Sequence, residues 1–252
     1  MCQFGVASIM AWSAQNYITS LGNIFGFGDV AMGIGGYFFT IVCVVGVINA
    51  FNMIDGIDGL AGGMSLVILL TMVGFLVATG NGASIMEPLI IVAAIVPFLA
   101  FNLSWKGFKG NKIFMGDAGS MFVGLTIVWL LVDHTQGEGA AFRPITAVWL
   151  TGLPLMDMAA IMYRRARKGQ SMLRPDRKHL HNIFMRAGLS SRQSLIAILC
   201  MGACYCLIGI LGEVYQVPEA IMFWGFLVLL VVYSIVIQNI WSVLRVIKRT
   251  FK

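Results

Sequence analysis

Charge is scarce in this sequence: Asp, Glu, Lys and Arg together make 11% of 252 residues, against 59% hydrophobic, with a mean hydropathy of +0.87. A soluble fold has too little interior for that much apolar surface, so the composition excludes an ordinary water-soluble domain. Cysteine chemistry is equally thin. Cys2, Cys43, Cys200, Cys204 and Cys206 sit inside apolar stretches, with no C-x-x-C pair and no nearby His, which argues against a metal knuckle or a disulfide framework and for packing. Low-complexity segments and internal repeats are missing, as is any composition break, so residues 1–252 are expected to form one integral membrane domain. The first apolar stretch has no basic start and carries Gln3, Ser8, Ser13 and Gln15, which makes it a poor signal peptide and a better bundle helix.

What the sequence does have is long apolar runs. A bilayer crossing takes about 20 such residues, and hydropathy with turn signals predicts eight crossings, near 1–18, 32–52, 62–80, 85–103, 117–134, 144–163, 193–212 and 218–240. Continuous runs exclude the alternating strands of a barrel, and backbone amides in lipid must be satisfied internally. The expected fold is an all-α polytopic transmembrane helix bundle of about eight helices. With eight crossings, 16 of the 17 basic residues fall on one side: Lys106, Lys109 and Lys112, nine between Arg164 and Arg192, and the tail from Arg245. Lys and Arg mark cytoplasmic loops, so that side is predicted to be cytoplasmic, with both termini there, a basic loop at 164–192 and a basic tail at 241–252. The opposite loops hold Arg143 among Asp29, Glu87, Asp133, Glu138, Glu213 and Glu219. Asp55, Asp58, Asp117 and Asp176 nevertheless fall on the basic side, and Asp157 lies in the helix leading to it. A basic strip is suited to anionic lipid heads; carboxylates at helix mouths among those bases ask for a further use.

Three elements stand out there. In NAFNMIDGIDGLAGG, Asn49, Asn52, Asp55 and Asp58 recur every three residues at the end of an apolar helix, each step drifting by about 60° around it. Gly56, Gly59, Gly62 and Gly63 allow a turn or a close backbone approach. A helix cap followed by small-residue packing would account for one Asp and the glycines; a pocket edge accounts for both acids. In KIFMGDAGSMFVG, Asp117 opens a helix after Gly116. It serves as an N-cap, or as a Mg²⁺ ligand beside phosphate at a helix amino end. The third element, YRRARKGQSMLRPDRKHLHN, sets His179 and His181 two apart, with Asp176, Arg164, Arg165, Arg167, Arg174 and Arg177 nearby. The spacing suits neither zinc nor haem and fits an anion clamp, or a loop whose basic residues only set topology.

In this order the three elements resemble the bacterial polyprenyl-phosphate N-acetylhexosamine-1-phosphate transferases, and the likeness runs from about residue 15 to the tail, including PLMDMAAIMYRRARKG and MRAGLSSRQ. The resemblance implies a multi-pass enzyme of the bacterial cytoplasmic (inner) membrane with its active face cytoplasmic. It implies transfer of N-acetylglucosamine 1-phosphate from UDP-N-acetylglucosamine to undecaprenyl phosphate, releasing UMP, as the first lipid-linked step of O-antigen or a related surface polysaccharide. Mg²⁺ (or Mn²⁺) is the implied cofactor. Asp117 is then the principal metal ligand and, with Asp55 and Asp58, a catalytic residue. Asn49, Asn52, Arg165, His179 and His181 are then substrate-binding, the last three holding the diphosphate. Membrane lipids are the other partners; nucleic acid is not expected, and a homodimer stays open. The family also has about three more amino-terminal helices and an Asp-Asp-rich loop, whereas this chain has no adjacent Asp pair, and Asn182 stands where near relatives carry a third His. The expectation is that Met1 is internal to a longer protein and that these 252 residues alone have little or no transferase activity. An ion or solute transporter, or a non-catalytic membrane scaffold, is the alternative reading. A transporter should string polar groups through the bilayer, and only Asp157 lies well inside a predicted span.

Overall fold

The computed structural model of the protein describes residues 2–81, 85–104, 111–169 and 179–239, and these residues form helices. In chain order they are α1 (Cys2–Ser8), α2 (Gly35–Ile54), α3 (Leu60–Ala78), α4 (Met86–Asn102), α5 (Gly116–Asp133), α6 (Pro144–Leu150), α7 (Gly152–Arg167), α8 (Leu180–Arg186), α9 (Ser191–Val214) and α10 (Glu219–Gln238). Extended chain among the described residues pairs at a single bridge, Ser20 with Ala31. Five helices, α2, α3, α5, α9 and α10, are long and apolar enough to cross a membrane. A sixth crossing needs α6 and α7 together, and α4 is a shorter apolar helix of 17 residues.

Two predicted spans therefore change shape. The stretch near 1–18 is only α1 with a π-helical continuation, Ile9–Ser13; it ends where Gln15 takes a left-handed φ of 53° and the Asn16 side chain donates through Nδ2 to the Trp129 carbonyl at 3.2 Å. The span near 144–163 is bent by 74° between α6 and α7. Pro154, three residues past Thr151, has no amide to give to the Leu150 carbonyl and crowds it. The Cys206 thiol donates to that carbonyl at 3.4 Å, a specific use for a cysteine that composition marks only as packing.

Close packing of the bundle depends on small residues, as expected where lipid and side chains are equally apolar. At Gly124 of α5 a Cβ would come within 3.1 Å of the Ile48 Cα and the Phe51 Cβ of α2, so α2 and α5 touch nearly backbone to backbone. The core between the helices is made of Phe51, Leu60, Met64, Ile68, Ile127, Leu153 and their neighbours, all nearly inaccessible. The two ends of the bundle are polar and different. At one end Arg143 binds Glu213 through Nε at 3.1 Å and the Val217 and Gly212 carbonyls through its other nitrogens, both at 2.8 Å; the Thr146 hydroxyl completes the Glu213 carboxylate. At the other end the carboxy termini of α2, α4 and α7 meet the amino termini of α3, α5 and α9. A capping box between Ser190 and Gln193 starts α9 there.

Candidate active site

The acid-rich end is assembled by loops that stop their helices sharply. α2 ends at Ile54, Asp55 follows with φ −72° and ψ 57°, and the Gly56 amide returns to the Ile54 carbonyl at 2.7 Å. This tight turn takes the four residues spaced by three off a common stripe. Asn49 stays inside the bundle, donating to Gln3 Oε1 at 3.0 Å and the Val45 carbonyl at 2.7 Å. Asn52, one turn on, donates to Asp117 Oδ1 at 3.2 Å and to the Ser120 hydroxyl at 3.1 Å, which joins the first motif to the second. Asp58 pairs with Lys112 at 2.6 Å, and Lys112 also lies 4.9 Å over the Phe114 ring.

Asp55 lies between the other two acids. Burial, then the negative charges of Asp117 and Asp58, push its carboxyl up to about 6. A carboxyl raised in this way is relieved by a cation, and a hard divalent ion suits an all-oxygen donor set. The residues present fit Mg²⁺ or Mn²⁺, with Asp117, exposed in the first turn of α5, the most accessible donor. Three acids do not yet make one coordination sphere. Among the described residues, the only His, Cys, Asp and Glu side chains to bring three donor atoms within 4.8 Å of one another are Glu87, Asp133 and His134. That group sits at the far end of α5, about 24 Å from Asp117 at 1.5 Å per residue, and is separate from the site.

The histidines close on the first loop. His179 and His181 are buried, and their rings lie parallel at 5.8 Å. The His181 ring covers Gly56: a Cβ there would overlap its Cε1 and Nε2 and stand 3.0 Å from its Nδ1. Burial, then the neighbouring His179, lowers the His181 imidazole to about 4, against the opposite pull of Asp157; it is neutral at pH 7, and Asn182 Nδ2 lies 2.9 Å from its Nε2. Arg164 and Arg165, in the last turn of α7, are buried as well, with 8% and 4% exposure, rather than solvated as a purely topological pair would be. Arg174, Asp176, Arg177 and the tail 241–252 lie outside the described residues, as do Lys106 and Lys109.

Asn102 and Tyr233 shape this end without a motif to announce them, as does Asp157, which the sequence marks only as an acid within a span. Asn102, at the end of α4 and 5% exposed, accepts the Gly59 amide at 2.6 Å and donates to the Ile113 carbonyl at 2.8 Å, so one side chain ties the DGIDG loop to the approach to Asp117. Asp157 and Tyr233 meet behind His179. A lone Asn near a helix end is the faint signal for the first; nothing in the sequence pairs the other two.

The chain matches the family model described as glycosyl transferase family 4 over residues 1–135. It is 43% identical over 248 residues to the undecaprenyl-phosphate alpha-N-acetylglucosaminyl 1-phosphate transferase of Escherichia coli K12, covering 98% of this chain and 67% of that protein. Proteins with the same name from Salmonella typhi (44%, covering 97% and 66%) and Haemophilus influenzae (43%, covering 97% and 69%) are as similar. The chain thus spans about two thirds of the length of these relatives. A model match over more than half the chain, and relatives aligned along nearly all of it, agree with the end-on cluster of acids and histidines: the chain belongs to glycosyl transferase family 4.

Proposed function

We propose that this chain carries most of a phosphoglycosyl transferase that moves N-acetylglucosamine 1-phosphate from UDP-N-acetylglucosamine to undecaprenyl phosphate. An oxygen of the lipid phosphate attacks the sugar-linked phosphorus, the bond from that phosphorus to the bridging oxygen breaks, and UMP leaves with the electron pair. The product is undecaprenyl-diphospho-N-acetylglucosamine, the starting lipid of a surface polysaccharide such as O-antigen. The observation that carries this reading is the convergence of Asp55, Asp58 and Asp117 with the His179–His181 pair at one end of the bundle, together with the names of the relatives. Phosphoryl transfer asks a protein mainly to position two anions and to stabilise the charge that moves to the leaving group. Asp117, steadied by Asn52, and Asp55 would hold Mg²⁺ or Mn²⁺, which supplies charge neutralisation when bound. Arg165, His179 and His181 hold the diphosphate, and Asp58, anchored by Lys112, fixes the loop edge. The sorting of Lys and Arg in the sequence supports reading this end as the cytoplasmic face of the bacterial inner membrane.

The test uses the chain alone in lipid nanodiscs and the chain fused behind the amino-terminal third of the Escherichia coli relative. Mg²⁺-dependent binding of UDP-N-acetylglucosamine by the first and UMP release by the second are expected, and Asp117→Asn should abolish the release. A folded fusion that releases no UMP, or an Asp117→Asn fusion as active as its parent, would overturn the assignment.

A further inference from the structure

Asp157 has no part in the transfer as described, yet it is 3% exposed within the helical core and collects three donors from two other elements. His179 Nδ1 lies 2.9 Å from its Oδ2; the Leu180 amide, at 3.3 Å, and the Tyr233 hydroxyl, at 2.9 Å, donate to its Oδ1. The Leu180 amide can only give a hydrogen and the Tyr233 hydroxyl donates to the same oxygen, so Oδ1 of the Asp157 carboxylate is an acceptor. The Nδ1–H tautomer of His179 then follows for the remaining contact. Tyr233 comes from α10, the last described helix, and is itself 8% exposed, so its hydroxyl reaches Asp157 through the interior. The line continues forward: His179 stacks on His181, and His181 lies over Gly56, next to Asp55.

We propose that Asp157 and Tyr233 are positioning residues for the candidate diphosphate site, acting through His179. Asp157 takes the Nδ1 hydrogen and fixes the ring with Nε2 toward the site; a phosphate oxygen, itself an acceptor, is met by the Nε2–H of the imidazolium, whose charge the Asp157 carboxylate balances, and Tyr233 fixes that carboxylate against rotation. Histidines that ligate metals are commonly held at the other nitrogen by a carboxylate, whose loss weakens the contact without touching it, and the Asp157–His179 pair has that geometry. Through Tyr233, α10 becomes part of the site's machinery as well as a membrane span. The inference rests on the transferase reading for the identity of the ligand, and on the geometry alone for the tautomer.

The experiment measures UDP-N-acetylglucosamine affinity of the chain in nanodiscs, with ¹⁵N spectra of its three histidines. Tyr233→Phe keeps the ring and removes one hydrogen bond, and is expected to weaken binding by about 2- to 10-fold; Asp157→Asn should weaken it by about 10- to 100-fold and move the His179 proton from Nδ1 to Nε2. In a His179→Ala background the Tyr233→Phe change should cost no further affinity, whereas a merely structural loss would persist there. Equal losses in both backgrounds, or a His179 tautomer unchanged in Asp157→Asn, would overturn the proposal. If the unaltered chain binds no UDP-sugar, it is the transferase reading that falls, and the ¹⁵N spectra still decide whether Asp157 sets the tautomer.

Discussion

Gly56→Ala isolates the contact between the DGIDG loop and the histidine element. Gly56 is not among the glycines with positive φ, so an alanine meets no backbone penalty there, and reduced freedom in the unfolded chain would favour it by about 0.4–1 kcal/mol. The opposing effect is steric. Its Cβ would overlap two atoms of the His181 imidazole and stand 3.0 Å from a third, whereas carbon contacts settle at about 3.5–4.0 Å. The ring must retreat by more than about 1 Å. Overpacking of this kind costs about 1–3 kcal/mol, and a misplacement near 1 Å lowers a reaction rate by about 100-fold, so the loss in turnover should exceed the loss in stability. The assay is UMP release from the fusion alongside its thermal midpoint. Gly74→Ala is the control, since a Cβ there meets nothing within 4 Å. Adding His181→Ala should absorb the effect: Gly56→Ala in that background should cost no more. Turnover unchanged by Gly56→Ala, or a penalty that simply adds to that of His181→Ala, would refute the reasoning.

Other perturbations follow from the same geometry. Asn102→Ala strands the buried Gly59 amide and should destabilise the protein by about 1–3 kcal/mol, measured by thermal unfolding in detergent; a midpoint equal to the parent's would show that the two loops hold without it. His181 is held near 4 when folded and takes its proton near 6.5 when unfolded. Its unfolded state therefore binds more protons as pH falls from 6.5 toward 4, and stability drops across that window while being fully present above it. His181→Gln should flatten that slope in unfolding curves taken at several pH values, and an identical slope would contradict it. At the other end, Glu213→Ala removes the carboxylate bonded to Arg143, leaving the guanidinium its two carbonyl partners and the Glu219 charge, and should cost about 1–3 kcal/mol with UDP-sugar affinity intact; affinity lost in step with stability would deny that the two ends are independent.

Five of the eight expected spans were legible because twenty apolar residues in a row have few other fates, whereas 1–18, 85–103 and 144–163 gave shorter or bent helices among the described residues; the gathering of three motifs at one end was legible because Lys and Arg sort by side. The bend at Thr151 was less so. Pro154 announces a disturbance, but the apolar run continues through it, and membrane helices tolerate proline; only packing shows that the orphaned carbonyl finds Cys206. The three-residue spacing of Asn49, Asn52, Asp55 and Asp58 showed a drift around the helix without saying where the helix stops. The end of α2 at Ile54 divides them, so that Asn49 serves Gln3 while Asn52 serves Asp117. The link between Asp157 and Tyr233 spans 76 residues, and that of Asn102 to Gly59 spans 43. Pairings at such separations leave no local trace, because what selects them is the burial of a polar atom that must find a donor or acceptor wherever the fold brings one.

The wiring of Asp157 also has a temporal side. The chain is made from its amino end, so α7 carries this carboxylate into the bilayer while its three donors are still unmade: His179 and Leu180 come next, and Tyr233 only with α10. An acid at membrane depth is costly until it is partnered, so a nascent chain halted before residue 233 holds an incompletely satisfied carboxylate.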